Sequence, residues 1–338
     1  MSHILILLLI CLGVAADAMA PSQCIGGPVP RRLLALQGHE SAKAAARPVA
    51  GQLRAVTLFA RFAGEDSGSE TLPSWTAAIF DRQRQGSLSH YYNEMSAGQF
   101  QLDGQVISQW FSSRQSASHY VADNPAGYAR FGHFVTEILD AAANGEFITF
   151  RRDEHSQGIG GITQRASTCA EAVGTMAHEF GHALGLLDLF DASFSPDGED
   201  DSAGIGYWGV MGHGNRGWQE SGGPTSFCAW SLEQLGWIGE ANTRLVTVDG
   251  RLQTAPLQDP RDGGNVYRLS SRGNSIYYLL EYRSPIDSYY DRHLPRAGVL
   301  IWQINGILAE NSTINVSSND FIEVSAMGHM SSNGRKCC

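Results

Sequence analysis

A chain of 338 residues, 43% hydrophobic and 17% charged, is long enough to bury a real core and too apolar for a disordered protein. Its net charge of −10 offers no attraction to nucleic acid or to an anionic membrane surface, so neither is expected as a partner. The length allows one large or two modest domains.

Residues 4–14 are an apolar run, followed by the small-x-small patterns Ala16-Asp17-Ala18 and Ala18-Met19-Ala20. The run is shorter than the roughly 20 apolar residues that span a bilayer. It reads as an export signal over residues 1–18, cut after Ala18 because Pro21 would sit just past the second pattern. Export makes the protein secreted or extracellular. Residues 19–52 are rich in Ala, Pro, Gly and Arg without a sustained period, as in a pro-segment or linker.

A short apolar run predicts a buried strand over 55–62. Two helical stretches follow, at about 74–84 and 87–96, separated by Gly86. Phe100, Leu102 and Val106 alternate with polar residues as in a strand. Tyr128, Phe131, Val135, Ile138, Leu139 and Ala142 share one face of a helix that ends near Asn144-Gly145. After a second, motif-bearing helix and a glycine-rich loop, a helix is predicted over 229–237. Strands are then predicted at 245–248, 266–269, 276–281 and 299–303. Residues 306–338 are rich in Ser and Asn and are expected to form a loosely held tail. The fold class is α+β, helical and strand-mixed above, strand-rich below.

The most informative stretch runs from Gly174 to Asp188 and contains His178-Glu179-Phe180-Gly181-His182. On a helix, residues four apart lie on one face, so both imidazoles can grip one metal ion. Glu179 projects about 100° further round and can reach a water on that metal without ligating it. Two histidines leave a tetrahedral zinc with places for a third protein ligand and a water. Gly185 accepts the left-handed conformation of a helix end and lets the chain turn back, bringing Asp188 towards the metal. Thr168 and Glu171 have capping-box spacing at the start of this helix.

These residues carry a family resemblance. HEFGHALGLLD resembles the extended zinc signature of the metzincin metallopeptidases, and Tyr207-Trp208-Gly209-Val210-Met211 resembles their methionine-containing turn. More narrowly, the chain resembles the immune inhibitor A family of secreted zinc metallopeptidases. The matching stretches are VTLFARF (56–62), SLSHYYNEMSAGQFQLDGQV (87–106), HEFGHALGLLDLFD (178–191), WGVMG, CAWSLEQLGWI (228–238) and GVLIWQIN (298–305). The resemblance implies a metzincin-like metallopeptidase domain over 53–305, with a twisted sheet and a zinc-binding active-site helix. It implies His178, His182 and Asp188 as zinc ligands, Glu179 as general base, Met211 as the floor of the site, and a protein or peptide substrate. Between Asn144 and the zinc helix the family's acidic glycine-rich loop and apolar strand are replaced by a shorter stretch. That departure motivates an alternative, an exported zinc-binding module that has lost proteolysis.

Other candidates are weaker. Asp191, Asp197, Glu199, Asp200 and Asp201 can gather oxygens round calcium, or simply form a solvated acidic loop. Cys169 and Cys228 suit either a disulfide across the core or two buried free thiols. His213, two residues past Met211, is a candidate oxyanion stabiliser or an exposed loop histidine. The sequence leaves the oligomeric state open.

Overall fold

The computed structural model describes residues 4–11, 49–65, 71–120, 128–145, 159–163, 169–190, 204–248, 256–270, 276–306 and 322–327. Strand β2, Gly51–Arg61, is buried on both faces from Ala55 to Ala60, which is why its sequence runs apolar without alternation. One face, carrying Ala55 and Phe59, packs on α1 (Leu88–Met95) and α4 (Cys169–Ala183). The other, carrying Val56, Leu58 and Ala60, packs with Phe62 on α3 (Tyr128–Asn144) through Phe134, Val135 and Ile138.

β2 pairs in parallel with β3, Phe100–Ser112, and α1 lies on the crossover between them. The register slips between Thr57 and Phe59, so β3 carries two extra residues there and its alternation breaks. On its other edge β2 pairs with β1, Ile4–Cys11, through Ile4↔Arg54 to Ile6↔Val56. β1 in turn pairs in parallel with β4, Ile159–Thr163, giving the all-parallel order β3-β2-β1-β4. The apolar run expected as an export signal is therefore the strand that joins β2 to β4.

The second sheet has the order β5-β6-β7-β8-β9 and is antiparallel except at β5–β6. Its strands are Leu245–Val248, Val266–Ser270, Ile276–Arg283, Gly298–Asn305 and Ile322–Met327. β7 alternates strictly, with Tyr277, Leu279, Glu281 and Arg283 inward, and β8 turns Leu300, Trp302 and Ile304 to the same core. Between the two sheets lie α4 and α5, Ala229–Leu235, whose Trp230, Leu232 and Leu235 join the main core. A short α2, Ala117–Tyr120, completes the helices among the described residues.

Four sequence expectations need correction. Residues 74–84 form only a 3-10 turn, Ser74–Ala78, because the Asp81 carboxylate accepts from the Gln83 amide and competes with helical bonding beyond it. The predicted helix over 229–237 ends at Leu235, where left-handed Gly236 closes it. The folded body starts before residue 53: Val49 is buried, its amide donates to Leu235 O at 2.9 Å, and its carbonyl accepts from Trp237 Nε1 at 2.6 Å. Finally, β9 lies inside the stretch expected to be loose, paired with β8 from Val299↔Met327 to Ile304↔Ile322.

Candidate metal centre

α4 buries Ala172, Val173, Met176, Ala177 and Phe180, and the same helix buries His178 completely and Glu179 almost so. Its end is built from sequence. Gly185, at φ +97°, allows the Leu186 amide to reach back to Gly181 O at 3.0 Å while the Gly185 amide donates to His182 O at 2.9 Å. The reversal points Leu186 O at the zinc-helix histidine: His182 Nδ1 lies 2.9 Å from it. His178 Nδ1 lies 2.8 Å from Val210 O, on the loop that carries Met211.

These two carbonyls decide the chemistry. Each can only accept, so each Nδ1 is the donor and each ring turns its Nε2 the other way. The two Nε2 atoms are 3.1 Å apart, and Asp188 Oδ1 lies 3.0 Å from His178 Nε2 and 3.3 Å from His182 Nε2. Three atoms able to ligate thus converge, and Asp188 Oδ1, although buried, receives no hydrogen bond. Ligands at ~2.0–2.1 Å round a tetrahedral zinc stand about 3.3 Å apart, close to the triangle observed. His178, His182 and Asp188 form the group able to hold a metal ion among the described residues, and they fit one.

The floor is equally tight. A Cβ on Gly181 would come within 2.5 Å of Met211 Sδ, so the glycine between the two histidines is what lets the methionine approach. Gly174, about two turns earlier, has the Asn215 carbonyl where a Cβ would be. The Leu189 amide donates to Met211 O at 2.8 Å, which ties the residue after Asp188 to the same loop. Phe190 stands between His178 and His213, with ring centroids 6.3 and 5.4 Å away. His213 itself is exposed on the loop.

The structure brings His178, His182 and Asp188 together, with Glu179 buried on the same helix, and adds the carbonyls of Leu186 and Val210, which the sequence did not single out. The first had a signal in the fixed offset from His182 to Gly185; the second had none beyond adjacency to Met211. Cys169 and Cys228 are free thiols, so no disulfide joins α4 to α5. Thr168 and the 191–201 loop lie outside the described residues.

A helix presenting two imidazoles, a glycine turn and a returning aspartate define a metallopeptidase-type centre. Residues 158–238, which contain all of it, match the family model described as immune inhibitor A peptidase M6, catalytic domain. The pre-pro-metalloprotease PrtV of Vibrio cholerae is 37% identical over 65 residues, a match that covers 19% of this chain and 7% of that protein. Two solved structures of wild type OgpA from Akkermansia muciniphila are 14% and 16% identical, cover 87% and 88% of this chain and 96% of their own, and superpose with a TM-score of 0.33. The stretch that carries the site is thus similar to immune inhibitor A-like metallopeptidases.

Proposed function

We propose that the chain is a secreted zinc-dependent metalloendopeptidase that cleaves internal peptide bonds of proteins or peptides. The observation that supports this is the triangle of two imidazole Nε2 atoms and one carboxylate oxygen, with Glu179 buried on the same helix as both histidines. His178, His182 and Asp188 would hold the zinc. When bound, zinc polarises a carbonyl and lowers the pKa of a water towards about 7. Glu179 takes the proton of the attacking water and returns it to the leaving amine, one side chain serving as base and then acid. Leu186 O and Val210 O keep both rings turned inward, and Met211 lies beneath them as the apolar floor of a metzincin-like site. An aspartate as third ligand leaves the centre one positive charge lower than a third histidine would.

Residues 1–18 would be the export signal, the following segment to about residue 48 a pro-region or linker, and the remainder the peptidase domain with its tail. Among the described residues no helix is long and apolar enough to cross a membrane. Cleavage after Ala18 would withdraw β1 from between β2 and β4, so the mature sheet must close by another route.

The shortened stretch before α4 favours a second reading, an exported zinc-binding module without proteolysis. One experiment separates them. The purified chain, assayed for metal, is incubated with a diverse peptide library with and without a zinc chelator, before and after removal of residues 19–48. Chelator-sensitive cleavage supports the peptidase; full zinc with no cleavage in either form leaves the binding module.

A further inference from the structure

Five charged side chains lie wholly inside the protein, away from the metal group: Asp259, Arg261, Glu281, Arg283 and Asp291. Arg261 pairs with Asp259, with Glu281 Oε1 at 2.7 Å and with Asp291 Oδ2 at 3.1 Å. Arg283 forks onto Asp291, donating Nε to Oδ2 at 2.9 Å and Nη2 to Oδ1. Each carboxylate also takes an N–H from elsewhere: Ser284 donates to Asp259, Trp302 and Ala229 to Glu281, and Ser226 to Asp291. Buried charges of this kind are costly to desolvate and keep their geometry only while every member stays paired. Burial would raise the Asp291 carboxyl, but Arg283 and then Arg261 hold it down in its charged form.

Only two members of the cluster reach the loop of residues 208–226, and they grip it at its two ends. Arg283 Nη1 donates to Trp208 O, and Asp291 Oδ1 accepts from the Ser226 amide at 3.2 Å. The two ends are themselves joined, since the Val210 amide donates to Ser226 O at 3.3 Å. Val210 O then accepts from His178 Nδ1 at 2.8 Å. An unbroken path of three hydrogen bonds therefore runs from Asp291 through Ser226 and Val210 to His178. Between its ends the loop contains no strand, and Gly217, Gln219, Glu220, Gly222 and Gly223 all have positive φ. Turns such as Gly212 and Gly214 onto Gly209 O and Thr225 onto Gly214 O join its residues to one another, while the clamp, the Leu189 amide on Met211 O and Tyr91 Oη on Thr225 O tie it to the rest of the protein.

We infer that Arg283 and Asp291 are positioning residues for the metal centre, orienting His178 by clamping the two ends of the Met211 loop to the second sheet. The inference rests on His178, His182 and Asp188 being metal ligands. Loosening the clamp lets Val210 O drift, the His178 ring loses its fixed direction, and the three donors no longer converge. Outer partners of ligating histidines typically change metal affinity by 10–100-fold, and Arg283 acts one step further out, so a loss of about tenfold is expected.

Arg261 provides the control. It is as buried as Arg283 and belongs to the same cluster, but it contacts Asp259, Glu281 and Asp291 and no residue of the loop. Wild type, Arg283→Lys, Arg261→Lys and Asp291→Asn are compared by zinc affinity against a competing chelator, by the visible absorption of the cobalt-loaded protein, and by urea unfolding. Lysine keeps the charge but loses the planar fork that reaches both Asp291 and Trp208 O. The expected result is that both lysine variants unfold at lower urea, while only Arg283→Lys loses about tenfold in zinc affinity and alters the cobalt spectrum. Arg261→Lys should stay within about twofold of wild type. Equal affinity losses in the two lysine variants would mean general destabilisation and overturn the inference, as would no loss in either. If Arg283→Lys does not fold, Asp291→Asn decides: wild-type zinc affinity in that variant overturns it. A wild type that binds neither zinc nor cobalt instead overturns the ligand assignment beneath it.

Discussion

Gly181 and Met211 touch so closely that no side chain fits between them: a Cβ on the glycine would lie 2.5 Å from the methionine sulfur and 3.3 Å from its terminal methyl. Gly181→Ala should therefore destabilise the protein by ~1–3 kcal/mol, the usual range for forcing a methyl into a packed core. It should also weaken metal binding, because the displaced loop carries Val210 O and Met211 O, which hold His178 and Leu189. Urea unfolding with and without zinc measures both. An unchanged midpoint would show that the loop yields freely and that Met211 is no floor.

The helix, its glycine turn and the returning Asp188 were legible because the information is local. Histidines four residues apart, a breaker three further on and an acid three beyond that are fixed by helix geometry, whatever surrounds them. β2 and α3 were legible for the same reason, through their apolar periods. What could not be read depends on contacts distant in sequence. Whether the apolar run 4–11 is a leader or a strand depends on pairing with residues 54–56 and 159–163. Glu281 and Arg283 sit on the inward face of β7 beside Tyr277 and Leu279, and Arg283 lies past the end of the strand predicted over 276–281. Their partners Asp259, Arg261 and Asp291 lie in loops with no period to reveal them.

The third ligand can be tested by linkage. A metal that binds only the folded state stabilises it by RT ln(1 + [L]/Kd), or about 2.7 kcal/mol at a free concentration 100 times Kd. Wild type should gain about that much at saturating zinc, and Asp188→Ala should gain little, since two imidazoles remain. Thermal unfolding against zinc concentration reads the difference. A variant that gains as much as wild type would remove Asp188 from the ligand set.

Glu94 supplies a test of pH dependence away from the metal. Its carboxyl is mostly buried and raised above the ordinary glutamate value by that burial, against the lowering pull of Ser288 and Arg261. A carboxyl raised in the folded state binds its proton more tightly there than in the unfolded chain. Its contribution to stability is therefore lost as pH rises from the unfolded value near ~4.3 through the folded one, and is constant above it. Glu94→Gln keeps an oxygen for Ser288 and removes the titration. The variant should gain stability relative to wild type as pH rises through that window, seen in urea midpoints from pH 4 to 7. A difference that does not vary with pH would mean that Glu94 titrates normally.

The start of the folded body can be located by truncation. A chain beginning at Val49 keeps the Val49–Leu235 and Trp237–Val49 hydrogen bonds, whereas one beginning at Leu53 loses both and the first two residues of β2. The shorter chain should be less stable by about 1–3 kcal/mol, the cost of leaving a buried partner such as Trp237 Nε1 unsatisfied. Sequencing the exported protein addresses the leader at the same time. Met19 as first residue means β1 has left the sheet, and an intact Met1 means residues 4–11 are a permanent strand.

Glu179→Gln separates catalysis from metal binding. The amide keeps the shape of the side chain beside His178 and removes the base, and it takes nothing from the triangle of His178, His182 and Asp188. Zinc content should therefore match wild type, while peptide hydrolysis falls by at least the 10²–10⁴-fold typical of a lost general base. The drop is expected at the upper end, because the same carboxyl is also the donor to the leaving amine. It should appear in kcat more than in KM, since Glu179 acts on the proton in flight and not on the resting substrate. Metal analysis and steady-state kinetics on one preparation give both numbers. A variant that keeps its zinc and its full rate would show that the base lies elsewhere in the cleft. One that loses its zinc would show that Glu179 supports the metal group rather than the chemistry.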